Sequence, residues 1–294
     1  DIKKVIVNEG VTSVGTMCFS YFSNLAEVSL PSTLTLINDG AFAYAGKLSV
    51  ITIPENVSTI ETEAFYDCPA LTQIKVNSSN RYYKSVDGVL FSKNGQTLCT
   101  YPANKSGDTY TVPAGTVTIA ELAYFRNKNV KNLIISDGVK TIGSESFKEA
   151  SSLNTVIIPS TVTTIASAAF IDCTALASVT IEEGLTTIEN SAFAGATNLK
   201  NLVVPSTVRK IGARAFENCQ TVHYLGTQSN LTSYSSNGNT AIHFSVVTAG
   251  KAATCMQSGK TPDYFCSVCN KTIRESVVID VDKMKNGPKF GKDY

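Results

Sequence analysis

The stretch Leu153-Asn-Thr-Val156-Ile-Ile158-Pro159-Ser-Thr-Val162-Thr-Thr-Ile165-Ala-Ser-Ala-Ala169-Phe170-Ile-Asp-Cys173 decides the fold. Its second half, Ile165 to Cys173, returns as Ile188 to Ala196 around Phe193, and again as Ile211 to Cys219 around Phe216. Followed along the chain, the aromatic slot holds Phe19, Phe42, Phe65, Tyr124, Phe147, Phe170, Phe193 and Phe216. Every step is 23 residues except the one from Phe65 to Tyr124, which is 59, or 23 plus an insertion of 36. Eight hits in register exclude chance, and a fixed period of this length is the mark of a repeat protein.

Within the unit, Val156 to Ile158 alternates inward and outward as a short half-buried strand does. Pro159, like Pro31, Pro54, Pro113 and Pro205, ends that strand because it has no N–H to donate. The Ala-Phe pair is expected on a short helical or 3₁₀ turn on the opposite side of the coil. One such unit is too small to bury its own apolar face, so stacked copies must share a continuous core.

Written out, the unit is L-x-x-V-x-I-P-x-x-V-x-x-I-G-x-x-A-F-x-x-C. It resembles the leucine-rich repeats of the BspA type, whose signature is F-x-x-C-x-x-L-x-x-I-x-I-P. The resemblance covers roughly residues 2 to 225. Tyr124 in place of Phe, Asn127 in place of a small residue and Cys18 in place of Ala depart from the pattern and leave the fold unaffected. The expected fold is a β-rich α/β solenoid. It is a right-handed leucine-rich-repeat coil of eight 23-residue repeats, with one parallel sheet face, a β-hairpin insertion and a small C-terminal appendage. The resemblance implies an extracellular or cell-surface location and a non-catalytic binding role, adhesion to host matrix or cell-surface proteins.

Composition agrees with that picture. Lys plus Arg number 25 and Asp plus Glu 24, a net charge of +1, which argues against a nucleic-acid partner. Charged residues are 17% of the chain, against about 25% in ordinary soluble domains. No run of about 18 apolar residues exists to cross a membrane. The chain opens at Asp1 directly on a repeat strand, with no signal peptide and no visible cap. That predicts a processed or cut chain, or a first repeat that caps itself poorly.

Three regions follow. Residues 1–227 are the solenoid, with the insertion at about 77–112; 228–241, rich in Ser, Asn, Gly and Thr, are a linker or capping loop; 242–294 are a small Cys-containing module with a frayed end. In the insertion, Asp87-Gly88 and Asn94-Gly95 are turn dipeptides, and Val89–Phe91 with Thr97–Tyr101 are expected to form a hairpin. It is either a decoration of the repeat or a protruding loop that contacts a partner.

Of the eight cysteines, Cys68, Cys173 and Cys219 share one repeat position, with Ala45, Ala150 and Ala196 in the neighbouring coils. Separated by those alanines they cannot approach the Cα distance of about 4.4–6.8 Å that a disulfide needs, and they read as small buried hydrophobes. Cys18 and Cys99 read as packing or hairpin residues. In the tail, His243, Cys255 and Cys266-Ser-Val-Cys269 have the ligand types and the C-x-x-C spacing of a tetrahedral zinc site. A disulfide plus a free thiol, or plain thiols, fit the same residues. The stretch Ala252 to Lys271 is similar to a tail repeat of gut-bacterial surface proteins. No cofactor is expected beyond that structural zinc.

No H-E-x-x-H, G-x-S-x-G or G-x-G-x-x-G occurs. His223 reads as an exposed or core-edge residue where the sheet ends. An enzyme is not expected. The outward column of the strands reads Ile6, Ser29, Thr52, Lys75, Thr111, Ile134, Ile157, Thr180 and Val203. The column beside it includes Asn132 and Thr155. The expected contact face is therefore Ile134, Ile157, Val203, Thr180, Asn132 and Thr155, since an apolar stripe on a solvated sheet marks a partner surface. Simple β-propensity on a Thr-rich face is the plain alternative. The partner would be a protein or an extended polymer. A structural spacer that displays another domain, or self-association through the tail, are the alternative functions.

Overall fold

The computed structural model describes residues 2–238 and 240–244 in full, the backbone of 245–248, and the strand backbones at 259–260, 263–266, 271–274 and 278–279. The repeat is a solenoid, and each coil carries two strands. The longer one, such as Asn132–Ile134, Thr155–Ile158 or Ser178–Ile181, pairs in parallel with its equivalents one repeat away. A second, two-residue strand, such as Thr141–Ile142, Thr164–Ile165, Thr187–Ile188 or Lys210–Ile211, forms a second parallel sheet. The expected single sheet face thus has a companion around the corner made by Pro159 and its counterparts. The registers are one repeat apart: Ile134 lies opposite Ile157, and Ile165 opposite Ile188.

The Ala-Phe segment is not helical. The single helical element among the described residues is a 3₁₀ turn at Gln228–Asn230. Instead Glu145 and Glu149, Ala168 and Asp172, and Ser191 and Gly195 take left-handed backbone angles, with φ between 51° and 75°. This folds each segment into consecutive tight turns whose N–H groups point alternately along and across the coil. Ser146, Lys148 and Ala150 donate to carbonyls three residues back, those of Gly143, Glu145 and Phe147. Glu145, Phe147 and Glu149 donate to Ser167, Ala169 and Ile171 of the next coil, at 2.8–3.0 Å. A helix would satisfy the N–H groups within the coil; this geometry satisfies them all and also builds a third ladder between coils.

Inside, the aromatic slot is a ring stack. Phe147, Phe170 and Phe193 lie parallel with centroids 4.9 and 5.1 Å apart, and all three are fully buried. Tyr101, which is 23 residues before Tyr124, fills the same slot in the inserted coil and stacks on it at 4.5 Å. With that coil and a further long strand at Val222–Tyr224, ten long strands run from Lys4–Ile6 to Val222–Tyr224. The solenoid is longer than the eight periodic repeats.

The insertion is a three-stranded antiparallel meander, Tyr83–Val86, Val89–Ser92 and Thr97–Thr100, not a two-stranded hairpin. Its last strand joins Thr118–Ile119 in the short-strand sheet. Asp87 and Gly88, at φ 48° and 79°, make the first turn. The middle strand is buried on both faces: Leu90 packs into the core of the first coils, and Val89 and Phe91 into the core of the later ones. The insertion is therefore an internal wall between two core compartments, not a protruding loop. Outside the wall, the Tyr66 ring stacks on Phe125 at 4.2 Å. Arg126 donates to Asp67 on one side and to Glu149, at 2.8 Å, on the other.

Toward the C-terminus the ladders continue past residue 225. Ser233–Tyr234, within the expected linker, pairs with Lys210–Ile211. Ile242 to Phe244 pair in parallel with Val222–Tyr224. Ser245 to Thr248 then pair antiparallel with Asp263–Cys266, and that strand with Lys271–Arg274.

Candidate binding face

The long-strand sheet presents one flat face to solvent. Alternation turns Leu133, Val156 and Val179 into the core, each buried, and turns Ile134, Ile157 and Thr180 outward in one row. Ile134 is 37% exposed and Ile157 43% exposed, on adjacent strands. The neighbouring column is tied side chain to side chain. Thr155 Oγ1 donates to Asn132 Oδ1 at 2.8 Å, and Asn132 Nδ2 donates to Thr109 Oγ1 at 3.3 Å. Lys131 bonds Asp108 at 3.0 Å on the same coils. The isoleucines thus sit beside a polar ladder whose rotamers are already committed, so a partner that covers them orders few new side chains.

Val203, expected in the same row, is half-buried. It lies opposite His223, and His223 opposite His243. These three residues sit on a ladder separate from the one that carries Ile134, Ile157 and Thr180, although its first strand is the neighbour of Ser178–Ile181, and this ladder continues beyond the point where the sheet was expected to end. His223 is not exposed there but 4% exposed, with its ring 5.2 Å from that of His243 in an edge-to-face contact. The 23-residue spacing gave no sign of this pair, because the step from Val203 to His223 and from His223 to His243 is 20 residues.

Of the expected zinc ligands, His243 is on this sheet and Cys266 ends a strand whose backbone pairs it with Ser245; Cys255 and Cys269 lie outside the described residues. Among the described residues no group of three or more His, Cys, Asp or Glu stands close enough to hold a metal ion. The repeat cysteines are core groups. The thiols of Cys68, Cys173 and Cys219 donate to the carbonyls of Phe42, Phe147 and Phe193, at 3.0–3.3 Å. Burial pushes the pKa of each up to about 12, which leaves them protonated and unreactive. Cys99 is pushed up to about 11 by the same cause. Cys18 differs from the packing role expected of it. It is exposed.

The BspA type leucine-rich-repeat pattern matches six copies, over residues 1–102 and 117–239. The chain belongs to the BspA-type leucine-rich-repeat family. No curated protein matches it. A leucine-rich cell-surface protein of Faecalibacterium prausnitzii is 32% identical with a TM-score of 0.71, over 78% of this chain and 62% of that one. This chain thus spans less than two thirds of that protein. A leucine-rich-repeat protein of Eubacterium ventriosum is 27% identical with a TM-score of 0.61, over 82% and 74% of the two chains. The pneumococcal vaccine antigen PcpA, 21% identical with a TM-score of 0.62 over 82% and 68%, shares the fold. BspA-type membership points to a protein-binding, non-catalytic role at the level of the family. In this member no helix among the described residues is long and apolar enough to cross a membrane.

Proposed function

We propose that the chain is a non-catalytic cell-surface or secreted binding protein that docks a protein, an adhesion target on a host matrix or cell surface, on the outward face of its long-strand sheet. The observation that carries this reading is the adjacent pair Ile134 and Ile157, exposed beside a hydrogen-bonded Asn132–Thr155 ladder. Burying what remains exposed of the two side chains would contribute roughly 1 kcal/mol each, from about 1.5–3 kcal/mol for a whole apolar side chain. That is enough to matter at the centre of an interface. Thr180 extends the row on the following coil, and the half-buried Val203 lies on the neighbouring strand beyond it, which begins a separate ladder.

The test is binding of the chain to a panel of purified extracellular-matrix and cell-surface proteins, compared with the Ile134→Lys/Ile157→Lys double variant. Saturable binding to a panel member, weakened at least tenfold in the variant while the thermal midpoint stays put, supports the reading. Equal binding by both chains moves the site elsewhere. A chain that binds no member in either form favours the spacer.

A further inference from the structure

At the corner where the long strands turn into the short ones, three successive coils border a shallow, open depression lined by Thr35, Glu55, Asn56, Ser58, Arg81 and Tyr82, far from Ile134 and Ile157 in the chain. We propose that it binds an acidic saccharide, with Arg81 holding a sugar carboxylate and the Tyr82 ring covering a sugar face. The proposal is independent of the sheet-face reading.

The chemistry of the lining argues for a polyol. Thr35 Oγ1 donates to Thr12 O, Ser58 Oγ to Thr35 O, and Asn56 Nδ2 to Ser32 O, at 2.8–3.3 Å. Glu55 accepts from Asn77 through Oε2. With the hydroxyl hydrogens of Thr35 and Ser58 spent on the solenoid, the oxygens of Thr35, Ser58 and Glu55 are acceptors, and Asn56 offers its amide oxygen together with one remaining N–H. An array of fixed acceptors suits a ligand whose every hydroxyl can donate. Coil spacing sets these groups about 4.8 Å apart from one strand to the next, a step comparable to the width of a sugar ring.

Arg81 and Tyr82 come from the first residues of the insertion, and they are held in place by the asparagine that ties the preceding coil to the first strand of the meander. Asn80 is completely buried. Its amide nitrogen donates to Pro54 O at 2.7 Å and Val57 O at 3.0 Å. Its amide oxygen accepts from the backbone N–H of Tyr82 at 2.8 Å and of Tyr83 at 2.7 Å. Lys93 Nζ donates to its backbone carbonyl. The side chain thus anchors the backbone on both sides of Arg81 and Tyr82 to the preceding coil, which is the preorganisation a binding residue needs. What it fixes is left open to solvent: Tyr82 is 52% exposed, and Arg81 is exposed with no ion pair among the described residues. An exposed aromatic beside an unpaired guanidinium offers a stacking surface and a bidentate carboxylate partner together.

The test is calorimetric titration of the full chain with tetragalacturonate, with maltotetraose as the neutral comparison. The expected result is saturable binding of the uronate, weakened at least tenfold by Arg81→Ala and by Tyr82→Ala, and unchanged by Ile134→Lys. Both side chains are exposed, so the folds of these variants should be intact, which circular dichroism checks. No heat with tetragalacturonate at millimolar concentration, or affinity unchanged in both variants, overturns the proposal. Equal affinity for maltotetraose overturns the part played by the carboxylate.

Discussion

Ala168 holds φ at 56° although it has a side chain. A left-handed angle costs an L-residue about 1 kcal/mol or more relative to glycine. Here the angle persists because it aims the Ala168 N–H at Asn190 O, 2.8 Å away on the next coil. Ala168→Gly should therefore raise the unfolding free energy by up to about 1 kcal/mol, and Ala168→Val should lower it by a similar or larger amount. Chemical denaturation of the two variants decides it, and a stabilised Val variant would contradict the geometry. Phe170 is the other critical residue, fully buried between two stacked rings. Phe170→Ala is expected to cost about 3–5 kcal/mol. For the repeat thiols the sign is set by burial. Cys173 in the folded chain keeps its proton up to about pH 12, against an ordinary value of 9.0. The unfolded chain thus releases that proton first as pH rises. The stability this contributes is complete below about pH 9 and is lost as pH climbs toward 12. At pH 8, iodoacetamide with peptide mapping should find Cys18 alkylated and Cys68, Cys173 and Cys219 protected until denaturant is added.

At the level of elements, the strands and their registers were legible because alternation and a 23-residue period leave one way to stack them. The outward row written from sequence is the row that the pairing shows from Thr111 to Thr180. The turns were not legible. The first left-handed position of each segment falls on Glu145, Ala168, Ser191 and Arg214, residues with no turn signature on which tertiary hydrogen bonds between coils impose the angle, while the second takes turn formers in Asp172, Gly195 and Asn218. Two signals were present but obscured. Tyr101 is in phase with Tyr124, hidden by the insertion around it. The unbroken run Val89-Leu-Phe91 is what a strand buried on both faces requires, since alternation holds only where one face is wet. Because that strand divides the core, Leu90→Asp should unfold more than the insertion: a charge would enter the compartment that holds Phe42 and Ile53. Its thermal transition should broaden or split, whereas Val86→Asp, on the exposed edge of the meander, should leave a single transition near that of the unchanged chain. Equal behaviour of the two variants would remove the wall from the account.

On the scale of the molecule, three ladders of hydrogen bonds and a ring stack make a rod whose surfaces are set by the repeat, while its chemistry comes from residues that vary within it. The near-zero net charge is consistent with this: the surface carries scattered pairs such as Lys4–Glu27 and Lys131–Asp108 in place of a field of one sign. Recognition must then come from local patches. The part of the candidate face that lay within the periodic repeats was readable from sequence, and the neighbouring ladder through His223 and His243 was not, because its step is 20 residues where the repeat has 23. A rod of this kind, stabilised coil by coil, tolerates changes on the outward row without losing the fold. The measurement that reaches the central claim most directly is hydroxyl-radical footprinting of the chain with a bound protein partner. Docking on the long-strand face should reduce oxidation at Ile134 and Ile157 in the complex and leave the short-strand sheet unchanged. Full oxidation of both isoleucines, with protection on the short-strand sheet, would contradict it.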